Sequence, residues 1–383
     1  MESVALKIQR RRYCKAAVYE VSVHHHIRRE TGGSGEIVAM HESFLHDGHV
    51  CMAFAKHGNS LDEALVPHPL PMARAQHVTR QLLLALDRLH RCGYAHTDIK
   101  PDNILYDPAS GDARLADLGS ADSEFAQGTI FGTRGYFAPE VIIGAPLSTA
   151  VDMWSLGCTV FEMLTGRRLF NPRRAAEKKY REFSRDDDVI DIPLDVSVQA
   201  DETDEEAEQF SPGAIIADKY MLESVLGRGR FGTAWIARPL HGTALDGSYA
   251  TLWNYAQSIP PRPDSTHDPN RREWSRERGA EDLVDLTLNY EHLLEIASLR
   301  GPVPAEMVRA ARFRSGYFEA DGTLRFRPKI RRCPLSTRLG RIARNSPHTA
   351  AHLCDFLASL INVDPAARPP VARALEHPWL TEA

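Results

Sequence analysis

The sequence predicts an α+β fold, with strands concentrated near its amino end and helices through most of the remainder. Three observations carry this. Two short runs, VALKI at Val4–Ile8 and HVCMAF at His49–Phe54, have the length and apolar composition of strands. Apolar residues recur at helical spacing at Val78, Leu82, Leu86 and Leu89, and again at Leu353, Phe356, Leu357 and Leu360. Between these sets, Asp152 to Leu164 is apolar nearly all round, as a central buried helix should be.

Composition narrows the function. The chain has 383 residues, 43% of them hydrophobic, enough core for one large domain or two ordinary ones. A net charge of -5 argues against a bulk nucleic-acid binder. No apolar run approaches the roughly 20 residues that span a bilayer. The start, MESVALKIQRRR, has too short an apolar stretch for a signal peptide. Six cysteines (Cys14, Cys51, Cys92, Cys158, Cys333, Cys354) are scattered without a CxxC pair, which fits reduced thiols in cytoplasm or nucleus.

The chemistry lies in Ala95 to Leu105, AHTDIKPDNIL, followed by ADLG at Ala116–Gly119. Asp98 can accept the proton of an attacking hydroxyl. Lys100 can neutralise charge on a moving phosphoryl group. Asn103 and Asp117 can hold a metal against phosphates. Oxygen ligands with no Cys or His partner suit Mg²⁺. Each residue alone would read as a surface charge. Four in this order and spacing point to phosphoryl transfer from ATP.

These motifs resemble the eukaryotic protein kinases, and most of all the SR-protein kinases of the CMGC group. Thr97 stands where most kinases carry Arg, and the HTDIKP form and DLG at Asp117-Leu118-Gly119 resemble the SR-protein kinases specifically. The resemblance covers Val4 to about Arg173 and about Tyr290 to Trp379. It implies a two-lobed kinase fold, a small β-rich lobe over a mainly helical one, using ATP and Mg²⁺.

By this resemblance each element acquires a role. Lys7 is the strand lysine that grips the α- and β-phosphates, and Glu20, in a helix from Ala16 to Ile27, is its partner. His24, His25 and His26 cannot chelate one ion from a helix, because neighbours point apart; a helix end is expected there. Phe54 is the gatekeeper, with Ala55, Lys56 and His57 facing adenine. Asp152 holds the catalytic-loop backbone, since a buried carboxylate requires such bonds. Thr133 of GTRGYFAPE bonds the catalytic Asp and Lys, and Glu140 pairs with Arg368 of DPAARPP. Phe137 stands where the CMGC pattern has Arg, which departs from that group's peptide preference.

A kinase also needs a glycine-rich hairpin before the lysine strand. Only Met1, Glu2 and Ser3 precede Val4, so the amino-terminal lobe reads as incomplete at its start. A match occurs far downstream, in DKYMLESVLGRGRFGTAWIAR, Asp218 to Arg238. Gly227, Gly229 and Gly232 form GxGxxG between β-prone flanks, and glycine lets backbone N–H groups approach phosphate. Three accounts fit: the hairpin docks beside the Lys7 strand, two chains exchange it, or a fused or mis-spliced gene inserted the start of one kinase into another. The last is favoured for origin, because the leader FSPGAIIADKY and the hairpin occur together. About 40 residues separate Arg173 from the hairpin, a random-coil span of about 35 Å, so reach is no obstacle.

The expected segments are 1–57 (partial amino-terminal lobe), 58–173 (catalytic and activation segments), 174–285 (an insert carrying the hairpin at 213–238) and 286–383 (the carboxyl-terminal helices). Asp186–Glu208 is acidic and Ile259–Gly279 rich in Pro and Arg; both read as linkers. The resemblance implies protein substrates with Ser or Thr acceptors, Arg/Ser-rich and other splicing-type proteins among them, without nucleic-acid or membrane partners. Against an Arg/Ser groove stand eleven basic residues between Arg309 and Arg344. A pseudokinase or scaffold is the alternative function.

Overall fold

The computed structural model describes residues 3–33, 35–66, 68–123, 125, 131–172, 210–229, 231–240, 252, 280–325, 330–345 and 347–382. The acidic run at 186–208, the Pro/Arg-rich run at 259–279, and Thr129, Arg327 and Lys329 lie outside them. In chain order the strands are β1 (Val4–Gln9), β2 (Met40–His46), β3 (His49–Ala55), β4 (Asn59–Ser60), β5 (Ile104–Tyr106), β6 (Ala113–Leu115), β7 (Ile215–Ile216), β8 (Tyr220–Arg228) and β9 (Gly232–Pro239). Contacts divide the chain into two units. The first comprises 1–58, 114–121 and 197–265; the second takes 59–113, 122–196 and 266–383. The stretch holding Asp117 and the glycine hairpin thus group with the amino-terminal strands.

The first unit is built on a six-stranded antiparallel sheet in the order β2-β3-β1-β9-β8-β7. β1 lies inside it. Its register against β9 runs from Val4 opposite Ala237 to Gln9 opposite Gly232. Alternation in β1 sends Val4, Leu6 and Ile8 to one face. There they join Phe44, Cys51 and Ala53 with Ile216, Tyr220, Leu222, Trp235 and Ala237 in one buried cluster. Five of these eleven residues come from the downstream segment, so this sheet has one core.

Polar contacts fix the same seam. Lys219 Nζ donates to Glu42 Oε2 at 2.6 Å, and the Tyr220 hydroxyl donates to Glu42 Oε1 at 2.7 Å. Glu42 is buried, and these two donors offset its desolvation. Phe210 lays its ring against His46 and His49, with centroids 6.0 and 5.3 Å apart. Gly232 has no room for a side chain, since a Cβ there would lie 2.2 Å from the Ile8 carbonyl oxygen.

The other face of β1 presents Lys7 toward the helix Cys14–Thr31, which closes on Gly32 in the left-handed region (φ 71°). This helix runs four residues beyond the expected Ile27. The three histidines therefore sit within it and not at its end. His24 is buried there against Phe54, with ring centroids 5.4 Å apart.

The second unit is mainly helical. Helix Met72–Arg91 buries Val78, Leu82, Leu86 and Leu89 as their spacing predicts. Every residue of helix Ala150–Thr165 from Val151 to Leu164 is buried. Gly157 permits its neighbour to approach: a Cβ there would lie 2.7 Å from Ile361 Cγ2 and 3.1 Å from Leu360 Cβ. Helix Pro347–Leu360 buries Leu353, Phe356, Leu357 and Leu360. Helix Ala280–Arg300 starts inside the span expected as insert. The short β4 pairs with β5 beside the loop that carries Asp98. Among the described residues, no helix is long and apolar enough to cross a membrane.

Candidate active site

The expected site residues fall into two sets, one in each unit. In the first, Lys7 Nζ donates to both Glu20 oxygens and to Asp117 Oδ1, each at 2.9 Å. Alternation along β1 aims Lys7 at the helix, and Glu20 lies on that helix's buried face. Burial alone would lower the Lys7 pKa; Asp117 and Glu20 more than reverse this and raise it above the ordinary lysine value. Burial also pushes the Glu20 carboxyl upward while Lys7 draws it down. The charge-separated pair is the form that three short bonds hold.

Asp117 sits at φ 60°, a left-handed conformation rare for a non-glycine residue. Gly119 follows so closely that a Cβ there would lie 3.3 Å from both Asp117 Oδ1 and Glu20 Oε2. The site therefore needs a small residue after Asp117-Leu118.

The glycines of GRGRFG divide by role. Gly232 is required by the β1 contact. An added Cβ on Gly227 would meet nothing within 4 Å, and one on Gly229 only the Gly232 carbonyl oxygen at 3.8 Å. Space beside these two is open, as a loop receiving a ligand requires. Val225 and Leu226 just before them are exposed. Of the remaining expected residues, Phe54 is buried, while Ala55, Lys56 and His57 are partly or fully exposed at the end of β3.

The second unit holds Asp98, Lys100, Asn103 and Thr133 in one hydrogen-bonded group. Lys100 Nζ donates to Asp98 Oδ2 at 2.9 Å and to Thr133 Oγ1 at 2.6 Å. Thr133 Oγ1 donates to Asp98 Oδ1 at 2.7 Å. Asn103 Nδ2 donates to the Asp98 backbone carbonyl at 2.8 Å and to Oδ2 at 3.0 Å. Both amide hydrogens of Asn103 are so committed, which turns its oxygen, the atom a metal would use, away from Asp98. The Asn103 oxygen in the second unit is a ligand type that suits Mg²⁺, and so is the Asp117 carboxylate in the first.

Asp152 supports this loop from below. Its two carboxylate oxygens accept the backbone N–H groups of His96 and Thr97, each at 2.8 Å, and Oδ2 also meets His90 Nε2 at 2.8 Å. Thr97 has φ 71°, unusual for a β-branched residue, and the Asp152 bonds hold it there. His90 was not legible as a partner, because nothing in its spacing distinguishes it from a helix-end basic residue. Farther off, Arg368 Nη2 donates to Glu140 Oε2 at 2.8 Å, both fully buried, and its guanidinium lies 5.1 Å from the Trp154 ring centre.

Comparison with known proteins agrees with this chemistry. Residues 2–224 match the family described as Protein kinase domain. Homeodomain-interacting protein kinase 2 of Mesocricetus auratus is 35% identical over 179 residues, 44% of this chain and 15% of that protein. Dual specificity tyrosine-phosphorylation-regulated kinase 3 of Rattus norvegicus is 36% identical over 175 residues, 44% of this chain and 30% of that protein. Homeodomain-interacting protein kinase 1 of Mus musculus is 35% identical over 179 residues. The chain thus spans well under half the length of these relatives.

Proposed function

Because this chain belongs to the protein kinase domain family, we propose that it is an ATP- and Mg²⁺-dependent protein serine/threonine kinase. Asp98 is its proton acceptor and Lys100 stabilises charge on the transferred phosphoryl group. Lys7 would grip the α- and β-phosphates, with Glu20 holding it in place. Asn103 and Asp117 would ligate the metal, which supplies charge neutralisation between the phosphates. The loop at Gly227 and Gly229 would cover the phosphates, its Gly229 N–H turned inward to the Gly232 carbonyl at 2.9 Å, and Phe54 to His57 would border adenine. The observation that supports this most is the Asp98 carboxylate, bonded by Lys100, Asn103 and Thr133 together.

The substrate reading is narrower. HTDIKP and DLG favour kinship with the SR-protein kinases, whose substrates are Arg/Ser-rich. The exposed Arg309, Arg312, Arg325, Arg331 and Arg332 disfavour such a substrate, because like charges repel across an interface. Acceptors flanked by neutral or acidic residues fit this chain better. A scaffold is the second reading, and the pairing of β9 with β1 counts against it.

Transfer of radiolabelled phosphate from Mg-ATP to a panel of Arg/Ser-rich, neutral and acidic-flanked peptides tests this. Incorporation that Asp98→Asn abolishes is the expected result. Binding of Mg-ATP with no transfer to any peptide would overturn the enzyme reading and leave a scaffold.

A further inference from the structure

Helix Pro347–Leu360 turns Ala350, Leu353, Phe356, Leu357 and Leu360 into the core of the second unit. His348 and His352 stay outside that core, the first exposed and the second half-buried. They are four residues apart, so they stand one turn from each other on a shared helix face. Their rings meet edge to face, with centroids 4.5 Å apart. The kinase chemistry uses neither of them.

Two histidine–carboxylate contacts lie along this helix, and they differ in what they leave free. His377 accepts the Trp379 N–H on Nδ1 at 3.1 Å and meets Asp355 Oδ2 through Nε2, also at 3.1 Å. Both of its nitrogens are occupied. His352 meets Glu382 Oε2 through Nδ1 at 3.5 Å. The carboxylate favours the proton on Nδ1, which puts the ring's lone pair on Nε2. His348 has no hydrogen bond or ion pair with any described residue. Two histidines spaced four apart on one helix face are a chelating pair for a transition metal. Zinc sits about 2.0–2.1 Å from an imidazole nitrogen, so two rings on one tetrahedral zinc have centroids about 5 Å apart. The observed separation comes close to this and needs only a small rotation of either ring. A carboxylate on the outer nitrogen of a ligating imidazole fixes its tautomer and makes it a better donor. His352 already has that partner.

We propose that His348 and His352 bind one Zn²⁺, with Glu382 as the positioning residue behind His352. Among the described residues no group of three His, Cys, Asp or Glu side chains is arranged to hold a metal, so water completes the coordination. Imidazole donors select a transition ion of zinc's kind over Mg²⁺, which prefers oxygen. Bound zinc ties together two turns of helix Pro347–Leu360 and, through Glu382, the short helix Pro378–Thr381. The inference holds whether or not the chain transfers phosphate.

The test titrates the full chain, first stripped with a chelator, with zinc chloride against a chromophoric zinc indicator in excess Mg²⁺. The parent should take up one more zinc per chain than His348→Gln or His352→Gln. Losing one arm of a chelate should weaken the site about a hundredfold or more. Glu382→Gln should weaken it about tenfold, and Glu382→Asp should recover much of that loss. Uptake should fall in acid, because protons compete for the ring nitrogens. Zinc should also raise the melting temperature of the parent by more than that of His348→Gln. His348 is exposed, so His348→Gln should melt with the parent when both are metal-free. Equal zinc uptake in the parent and both histidine variants would overturn the proposal. A loss confined to one of the two histidine variants would overturn the chelate as well.

Discussion

Lys7 and Ala234 lie directly opposite one another in adjacent strands, although 227 residues separate them in the chain. That pairing seats a glycine hairpin against the strand of Lys7 from the far side of the sequence. It makes the hairpin part of the first unit's core, so removing Asp218 to Arg238 would strip Tyr220, Leu222, Trp235 and Ala237 from it. Point changes separate stability from nucleotide binding more cleanly than deletion does.

Gly229→Val should weaken ATP binding while leaving the thermal transition nearly unchanged, because its surroundings are open. Loss of two charge-assisted phosphate bonds, each about 1.5–3 kcal/mol, would raise Kd about a hundredfold or more. Gly232→Ala should act in the opposite order. Its Cβ would strike the Ile8 carbonyl, so melting temperature should fall first. Calorimetric titration with Mg-ATP beside thermal denaturation checks both. Equal ATP affinity in Gly229→Val and the parent would make the hairpin a structural element only.

Thr133→Ala should lower kcat without much change in the KM for ATP. Thr133 bonds Asp98 and Lys100, whereas Lys7 bonds Glu20 and Asp117. Loss of Thr133 loosens Asp98, whose own replacement in Asp98→Asn should cost about 10²–10⁴ in rate. Steady-state kinetics on a fixed peptide distinguishes the two variants.

Activity should not need phosphorylation of the activation segment. An arginine at the position of Thr97 would clamp a phosphorylated side chain through charge-assisted bonds. Thr97 carries no charge, and its backbone is already held by Asp152. Phosphatase-treated enzyme should keep its rate, as should Ser120→Ala, Ser123→Ala and Thr129→Ala. A collapse of activity after phosphatase treatment would contradict this.

Acid should destabilise the second unit through His292. It is buried against Phe170, neither ring nitrogen has a hydrogen-bond partner among the described residues, and burial lowers its pKa to about 3. The unfolded chain takes up a proton near pH 6.5, while the folded protein refuses it until about pH 3. Stability contributed by the neutral ring is therefore complete above about pH 6.5 and falls by about 1.4 kcal/mol per pH unit below it. His292→Phe should flatten the dependence of melting temperature on pH between about 6.5 and 4. His24, buried on Phe54 with a pKa lowered to about 3 by burial, should act the same way in the first unit.

Much of the site was readable because its chemistry is local in sequence. Asp98, Lys100 and Asn103 lie within one loop, and their spacing alone implies that they converge. Helices with four apolar residues at helical spacing were equally legible. The place of the hairpin was not. Nothing in GRGRFG states which edge it joins, and the choice is made by Trp235 and Tyr220 filling the β1 core and by Lys219 meeting Glu42. The three histidines show the same limit. A polar run suggested a helix end, but burial of His24 and Ile27 carries the helix on to Thr31. Asp152 had a readable role, whereas His90 at its side depends on how two helices cross.

The order of the strands also bears on synthesis. β9, which covers the edge of β1, is complete only after residue 239, about 230 residues after β1 leaves the ribosome. At about 5–20 residues per second, that delay is roughly 10–50 s. Throughout it the nascent chain carries an open row of backbone donors and acceptors beside Leu6 and Ile8. Such an edge invites pairing with neighbouring chains on the same message. Yield should therefore respond to chaperone supply and translation speed far more than the finished protein's stability would suggest.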